Sequence, residues 1–218
     1  MMAKNIALKL FIATFAIIIG TAGLGSPQAN ASSILKVGSV NGDVWDLQYR
    51  LKLLGYYNLE LDGIYGKGTE AATRGFQWNY GLSADGIAGP ATWKALKTYS
   101  LNQKELDILA RVIYSEARGE PYIGQVAVGA VVMNRIQSDD FPDTINGVVF
   151  QPGAFTAIDD GQYWLTPNAT AYKAAQDAVR GWDPTGGSLY YFNPDTATSK
   201  WIWSLKQNVK IGRHIFAG

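Results

Sequence analysis

The octapeptide Asp62-Gly63-Ile64-Tyr65-Gly66-Lys67-Gly68-Thr69 returns as Asp85-Gly86-Ile87-Ala88-Gly89-Pro90-Ala91-Thr92, so the pattern D-G-I-x-G-x-x-T occurs twice with identical internal spacing. One D-G-I would mean little. Two copies, each followed by a segment of helical composition (Glu70 to Trp78 and Trp93 to Tyr99), specify a turn-then-helix unit used twice. Gly63 and Gly86 supply the permissive backbone of a turn after Asp, and Thr69 and Thr92 are suited to cap the helices that follow. Upstream, Val44, Leu47, Leu51 and Leu54 share one helical stripe that ends at Gly55, a residue suited to a helix C-terminus. A small three-helix domain is expected over residues 33–98. Taken singly, its Asp and Gly residues are turn formers before they are ligand contacts.

Thr98 to Gln103 is a short polar joint, too short for a flexible tether, so the second domain, expected over 104–218, should sit close to the first. Asn102 and Glu105 have the spacing of a helix N-terminal capping pair. The helix they start runs to Glu116, whose neighbours three, four and seven residues back are Ile113, Val112 and Leu109. Glu116 therefore points where the core points. Desolvation disfavours an ionised carboxyl, so this one is expected to hold a proton near neutral pH, as a general acid must. Gly119 and Pro121 break the helix just beyond it, which places the carboxyl near an opening.

Pro121 is suited to begin the next helix, Pro121 to Ile136, where Gly124, Ala127, Gly129 and Ala130 leave room for another helix to pack closely. Gln137 to Thr166 reads as long loops around a short apolar piece at Val148-Val149-Phe150, and such loops tend to carry function. An amphipathic helix follows from Asn168 to Arg180; Ser188 to Phe192 and Lys210 to Phe216 have strand composition. Helices first and a small sheet later make the second domain α+β.

The first residues differ from everything after them. Lys4 and Lys9 precede the apolar run Leu10 to Ile19, and Ala29-Asn30-Ala31 has the small-x-small form of a signal-peptidase site, so 1–31 is read as a secretory signal. The run is shorter than the about 20 residues that span a bilayer. Without this segment the chain carries 17 basic against 18 acidic residues, which gives no basic surface for nucleic acid and no charge-driven membrane contact. With no cysteine, an exported chain must be stabilised by its cores alone. One histidine and no cysteine also exclude the usual three nitrogen or sulfur ligands of a zinc amidase or peptidase, and no metal or other cofactor is expected.

Residues 36–97, through Leu47-Gln48, Leu54-Gly55-Tyr56-Tyr57, Phe76-Gln77, Gly81-Leu82 and both D-G-I turns, resemble the peptidoglycan-binding domain found at one end of many bacterial wall hydrolases. That resemblance implies a three-helix module that holds glycan or stem peptide and does no chemistry. Most of residues 104–217 resembles the catalytic domain of the SleB-type, spore cortex-lytic wall hydrolases. The matching motifs are Tyr114-Ser115-Glu116-Ala117-Arg118-Gly119-Glu120-Pro121, Gly124 through Arg135, Gln151-Pro152-Gly153 with Phe155, Gly181 through Gly187, Tyr190 through Pro194, and Ile211 through Phe216. Arg213 departs from the pattern, in which an asparagine is common before the histidine.

The family resemblance implies a lysozyme-like α+β fold and lytic transglycosylation of peptidoglycan, with Glu116 as the indispensable acid. Its implied substrate is spore cortex, marked by muramic δ-lactam, and its setting is the envelope of a germinating spore. A regulatory partner protein in the spore is compatible with it, and the chain is expected to act as a monomer. A lytic cut needs one carboxyl, which protonates the glycosidic oxygen and then takes the proton of the sugar's own C6 hydroxyl. Ordinary glycosidases need two, about 5 Å apart for retention or about 6.5–9.5 Å for inversion. Glu120, Asp139, Asp140, Asp159 and Asp160 are the candidate second acids, and Glu120 is expected to face solvent or cap the following helix. Phe155, Thr156, Tyr191 and Asn193 are candidates to line a sugar cleft, and His214 is a candidate contact or a structural strand residue. The alternatives are a muramidase of the vegetative wall and a wall-binding protein without catalysis, in which Glu116 would be a satisfied buried carboxylate.

Overall fold

In the computed structural model, which describes residues 33–218, the first three helices are α1 (Gly42–Leu53), α2 (Lys67–Asn79) and α3 (Pro90–Tyr99). The apolar segment near the N-terminus and Ala29-Asn30-Ala31 lie outside the described residues. Two buried glutamines explain why the octapeptide occurs twice. Gln48 on α1 puts its amide nitrogen 2.7 Å from Asp62 Oδ1, 3.1 Å from the Ile64 carbonyl and 3.1 Å from Thr69 Oγ1, and its amide oxygen accepts from Gly63 N at 3.0 Å. Gln77 on α2 repeats the set with Asp85 (2.9 Å), Ile87 (3.0 Å), Thr92 (3.0 Å) and Gly86 N (2.8 Å). Each turn needs its glycine, since Gly63 and Gly86 have φ of +70° and +72°.

The threonines do not cap helices as expected. Gly66 and Gly89 occupy the N-cap positions, without a side-chain cap, while Thr69 and Thr92 sit inside the first turns with their hydroxyls committed to the glutamine amides. Around these hubs Val44, Leu47, Leu51, Phe76, Trp93 and Leu96 form one apolar cluster. Gln77→Leu should lower unfolding free energy by about 3 kcal/mol, because it strands the Gly86 N–H in the interior and takes the amide donor away from Asp85, the Ile87 carbonyl and Thr92. Urea titration reads this directly, and a loss below about 1 kcal/mol would contradict the hub.

α4 (Gln103–Ala117) begins with the expected capping box, Asn102 accepting from Glu105 N while Glu105 accepts from Asn102 N. α5 (Tyr122–Gln137) is buried along most of its length, and Pro121 is its N-cap rather than its first residue, with extended ψ of 155°. The 137–166 stretch is less irregular than expected. It contains α6 (Ile145–Val149), α7 (Thr156–Asp159) and a 3-10 turn at Gln162–Trp164, each too short to show a helical period in sequence. α8 (Ala169–Val179), capped by Asn168, packs with α4 and α5 into a single core.

β1 (Tyr190–Phe192), β2 (Gln207–Ile211) and β3 (His214–Ala217) form an antiparallel sheet of order β1-β3-β2, with α9 (Lys200–Ser204) between β1 and β2. The stretch of strand composition from Lys210 to Phe216 is therefore parts of two strands and a turn at Gly212-Arg213, where Gly212 has φ +58°. The described residues are mostly helical with one small sheet, an α+β arrangement.

The first three helices and the rest pack against each other as one compact unit. Arg50, 2% exposed on α1, donates to the Ser100 carbonyl (2.9 Å), Glu105 (3.0 Å) and Asp46 (3.1 Å), joining α1 to the start of α4. From the other side Arg180 donates to the Leu53 carbonyl at 2.9 Å. The short joint is thus held in place, with Leu53 and Leu101 both entering the α4-α5-α8 core.

Candidate active site around Glu116

Leu109, Val112 and Ile113 are fully or almost fully buried, and their stripe delivers Glu116 to the inner edge of α4's last turn, half-buried. Its surroundings are not the apolar ones expected from sequence. Oε1 accepts from the Ala157 backbone N–H at 3.1 Å and lies 3.5 Å from Thr156 Oγ1, and Oε2 accepts from the Tyr191 hydroxyl at 3.0 Å. The first turn of α7 and strand β1 therefore both aim donors at one carboxylate. Burial holds the Tyr191 phenol well above its ordinary pKa of 10, and the adjacent Glu116 charge adds to the effect, so Tyr191 remains a donor at any working pH.

The other expected site residues fall in different places. Thr156 is exposed beside Glu116, and Tyr191 is half-buried on its far side. Phe155 is 3% exposed and faces the interior instead of lining a cleft, because its ring packs against the Arg135 guanidinium at 5.3 Å. Asn193 turns its side chain onto the Asp195 N–H at 3.0 Å, closing the bend after β1, and is not brought to Glu116. His214 opens β3 with its ring edge-on to Tyr191, centroids 5.1 Å apart. Burial lowers its pKa and so favours the neutral imidazole, against the pull of Glu120 and Glu116; its Nδ1 is buried with no partner among the described residues.

Glu120 is partly exposed but is not free in solvent, and it does not cap α5. Its carboxylate accepts from the Arg213 N–H at 2.9 Å and lies so close over Gly212 that a Cβ there would stand 1.9 Å from Oε2. It pins the β2-β3 turn, and this explains why a backbone N–H, indifferent to side-chain identity, suffices at Arg213. Among the described residues, none of Glu120, Asp139, Asp140, Asp159 and Asp160 shares a hydrogen-bond partner with Glu116; Asp160 is taken up by Gln162 at 2.7 Å. No three His, Cys, Asp or Glu come together as metal ligands among them either.

Sequence reasoning missed two members of this site. The Ala157 N–H is a backbone donor with no residue-type signal at all. Arg135 carried no signal beyond its place in a family motif, although it lies behind both segments that face Glu116.

A family model described as cell wall hydrolase matches residues 119–217, beginning just past Glu116, and one described as putative peptidoglycan binding domain matches residues 40–96. The catalytic domain of the Bacillus cereus SleB protein is 60% identical, covers 55% of this chain and 93% of its own, and superposes with a TM-score of 0.53. The catalytic domain of SleB from Bacillus anthracis, described as a germination-specific lytic transglycosylase, is also 60% identical, over 54% of this chain and 97% of its own, with a TM-score of 0.52. The spore cortex-lytic enzyme of Bacillus cereus is 42% identical over 97% of this chain and 96% of its own length. With similarity running through nearly all of both chains, this protein belongs to the spore cortex-lytic enzyme family.

Proposed function

We propose that the chain is an exported enzyme that cleaves the glycan strands of spore cortex peptidoglycan during germination, by a lytic cut made with Glu116. Residues 33–98 serve as the wall-binding module and 104–218 as the catalytic domain, with 1–31 removed on export. The observation that carries this reading is the set of three donors, from Thr156, Ala157 and Tyr191, that converge on the Glu116 carboxylate, while Glu120 is taken up by the Arg213 N–H and Asp160 by Gln162. The described activities of the relatives, cortex lysis and germination-specific transglycosylation, support the same assignment.

Chemically, Glu116 gives its proton to the glycosidic oxygen as the bond from that oxygen to the muramic C1 breaks. The muramic C6 oxygen then bonds to C1, and its hydroxyl proton passes to Glu116, restoring the acid for the next cut. No water enters the products. Tyr191 and Ala157 N–H hold the two oxygens so that one faces the leaving group and the same group meets the C6 hydroxyl afterwards. The enzyme works as a monomer outside the membrane, on a wall that bears muramic δ-lactam.

Incubation of the purified chain with cortex sacculi should release soluble muropeptides, about tenfold faster than from lactam-free vegetative sacculi. No release from either material would overturn the enzymatic reading. Equal release from both would remove the cortex preference and leave a general wall-cleaving enzyme.

A further inference from the structure

We infer that Arg135 is a positioning residue for the reaction, the clamp that sets the donors of Glu116 in register; the inference rests on the catalytic reading of Glu116 given above. Arg135 lies on α5, is 6% exposed, and among the described residues forms no ion pair with a carboxylate. Its guanidinium instead sits among three aromatic rings, 5.1 Å from the centroid of Phe141, 5.3 Å from Phe155 and 5.6 Å from Tyr190. Its Nε–H donates to the Leu189 carbonyl at 2.8 Å.

The identity of those partners gives the arrangement its meaning. Phe155 immediately precedes Thr156 and Ala157, which face Glu116 Oε1; Leu189 and Tyr190 immediately precede Tyr191, which faces Oε2. One cation thus holds the roots of both segments that orient the carboxylate, although the segments are distant in sequence and share no strand or helix. Asn134, its neighbour on α5, fastens the same approach to β1 through Asp183 (3.1 Å) and the Ser188 carbonyl (3.1 Å).

Packing alone does not account for a guanidinium here. A buried cation without a carboxylate is costly, and an apolar side chain of similar volume fills such a space with less penalty. What a guanidinium offers is a flat, charged face for several rings and an N–H in a fixed direction. Lysine retains the charge and loses both. Burial lowers the pKa of Arg135, and Tyr191 and Tyr190 oppose that shift, consistent with a cation enclosed on the tyrosine side of the site.

The test is steady-state kinetics on solubilised cortex fragments, with Arg135→Lys, Arg135→Met and Glu116→Gln measured beside the native chain and each rate normalised to the folded fraction. The clamp predicts that both Arg135 variants lose about tenfold or more in kcat while KM stays within about twofold, because geometry at the reacting group is lost and the sugar contacts are not. A kcat within about twofold of native, or a loss equal in kcat and in folded fraction, overturns it. If neither Arg135 variant folds, Phe141→Leu removes the ring that adjoins no donor: a fall in kcat of about threefold or more at constant KM upholds the clamp, and an unchanged kcat overturns it. Full activity in Glu116→Gln would defeat the catalytic reading and the clamp with it, whereas an inactive Glu116→Gln beside active Arg135 variants would defeat the clamp alone.

Discussion

Glu116→Gln is expected to leave a folded chain that still sediments with cortex sacculi but releases soluble muropeptides at least about a thousandfold more slowly, since one group supplies both the acid and the base. The substitution is nearly isosteric. The amide oxygen can keep the Ala157 N–H bond, and the amide nitrogen can face the Tyr191 oxygen, so neither the α7 turn nor β1 loses its partner. What the amide cannot do is carry a proton to the leaving oxygen and accept another from the C6 hydroxyl. Binding and catalysis should therefore separate cleanly, with pelleting unchanged and the release curve flat. Release at the native rate would show that Glu116 is only a satisfied carboxylate, the reading that helical periodicity alone allows. Loss of pelleting together with release would point to a folding defect, which circular dichroism would reveal.

Gly129→Val should cost about 3 kcal/mol of stability and reduce activity in the fraction that remains folded. Gly129 lies where α5 crosses α4 and α8: a Cβ placed there would come 2.9 Å from Ile113 Cδ1 and 3.0 Å from Ala178 Cβ. The isoleucine tip can give way, but the alanine Cβ is fixed to its helix backbone, so the helices must separate. Replacing glycine adds helix propensity worth somewhat under about 1 kcal/mol, too little to offset the overlap. The displacement reaches function because Ile113 sits one turn before Glu116 on the same face of α4. Thermal unfolding would measure the first effect and normalised kcat the second; a Gly129→Val protein as stable as the native chain would mean that the crossing is looser than its geometry indicates.

Much of this architecture was legible in the sequence because its signals are local. The doubled octapeptide announces two turns, Asn102 and Glu105 announce the start of α4, and the Leu109, Val112, Ile113 stripe points Glu116 inward. What could not be read was set by partners distant along the chain. Gln48 and Gln77 look like ordinary helix residues until the turns fold over them, and the threonines they engage were mistaken for caps for that reason. α6 and α7 are shorter than the window in which a period shows. The strand composition of Lys210 to Phe216 hides a turn, since only the carboxylate of Glu120, drawn from another element, makes Gly212 legible as its pivot. At the site itself, the inward direction of the stripe that ends at Glu116 is legible in the sequence and the nature of its neighbours is not. Polar donors from α7 and β1 replace the greasy surroundings that a stripe of Leu, Val and Ile suggested.

The claim on which the mechanism stands is that one carboxyl completes the cut without water. Digestion of cortex by the native chain in 18O-labelled water, followed by mass spectrometry of the released muropeptides, tests it most directly. The account predicts 1,6-anhydro-muramic ends with no label. Reducing muramic ends, one water heavier and carrying 18O, would contradict it and require a second acid or a positioned water beside Glu116.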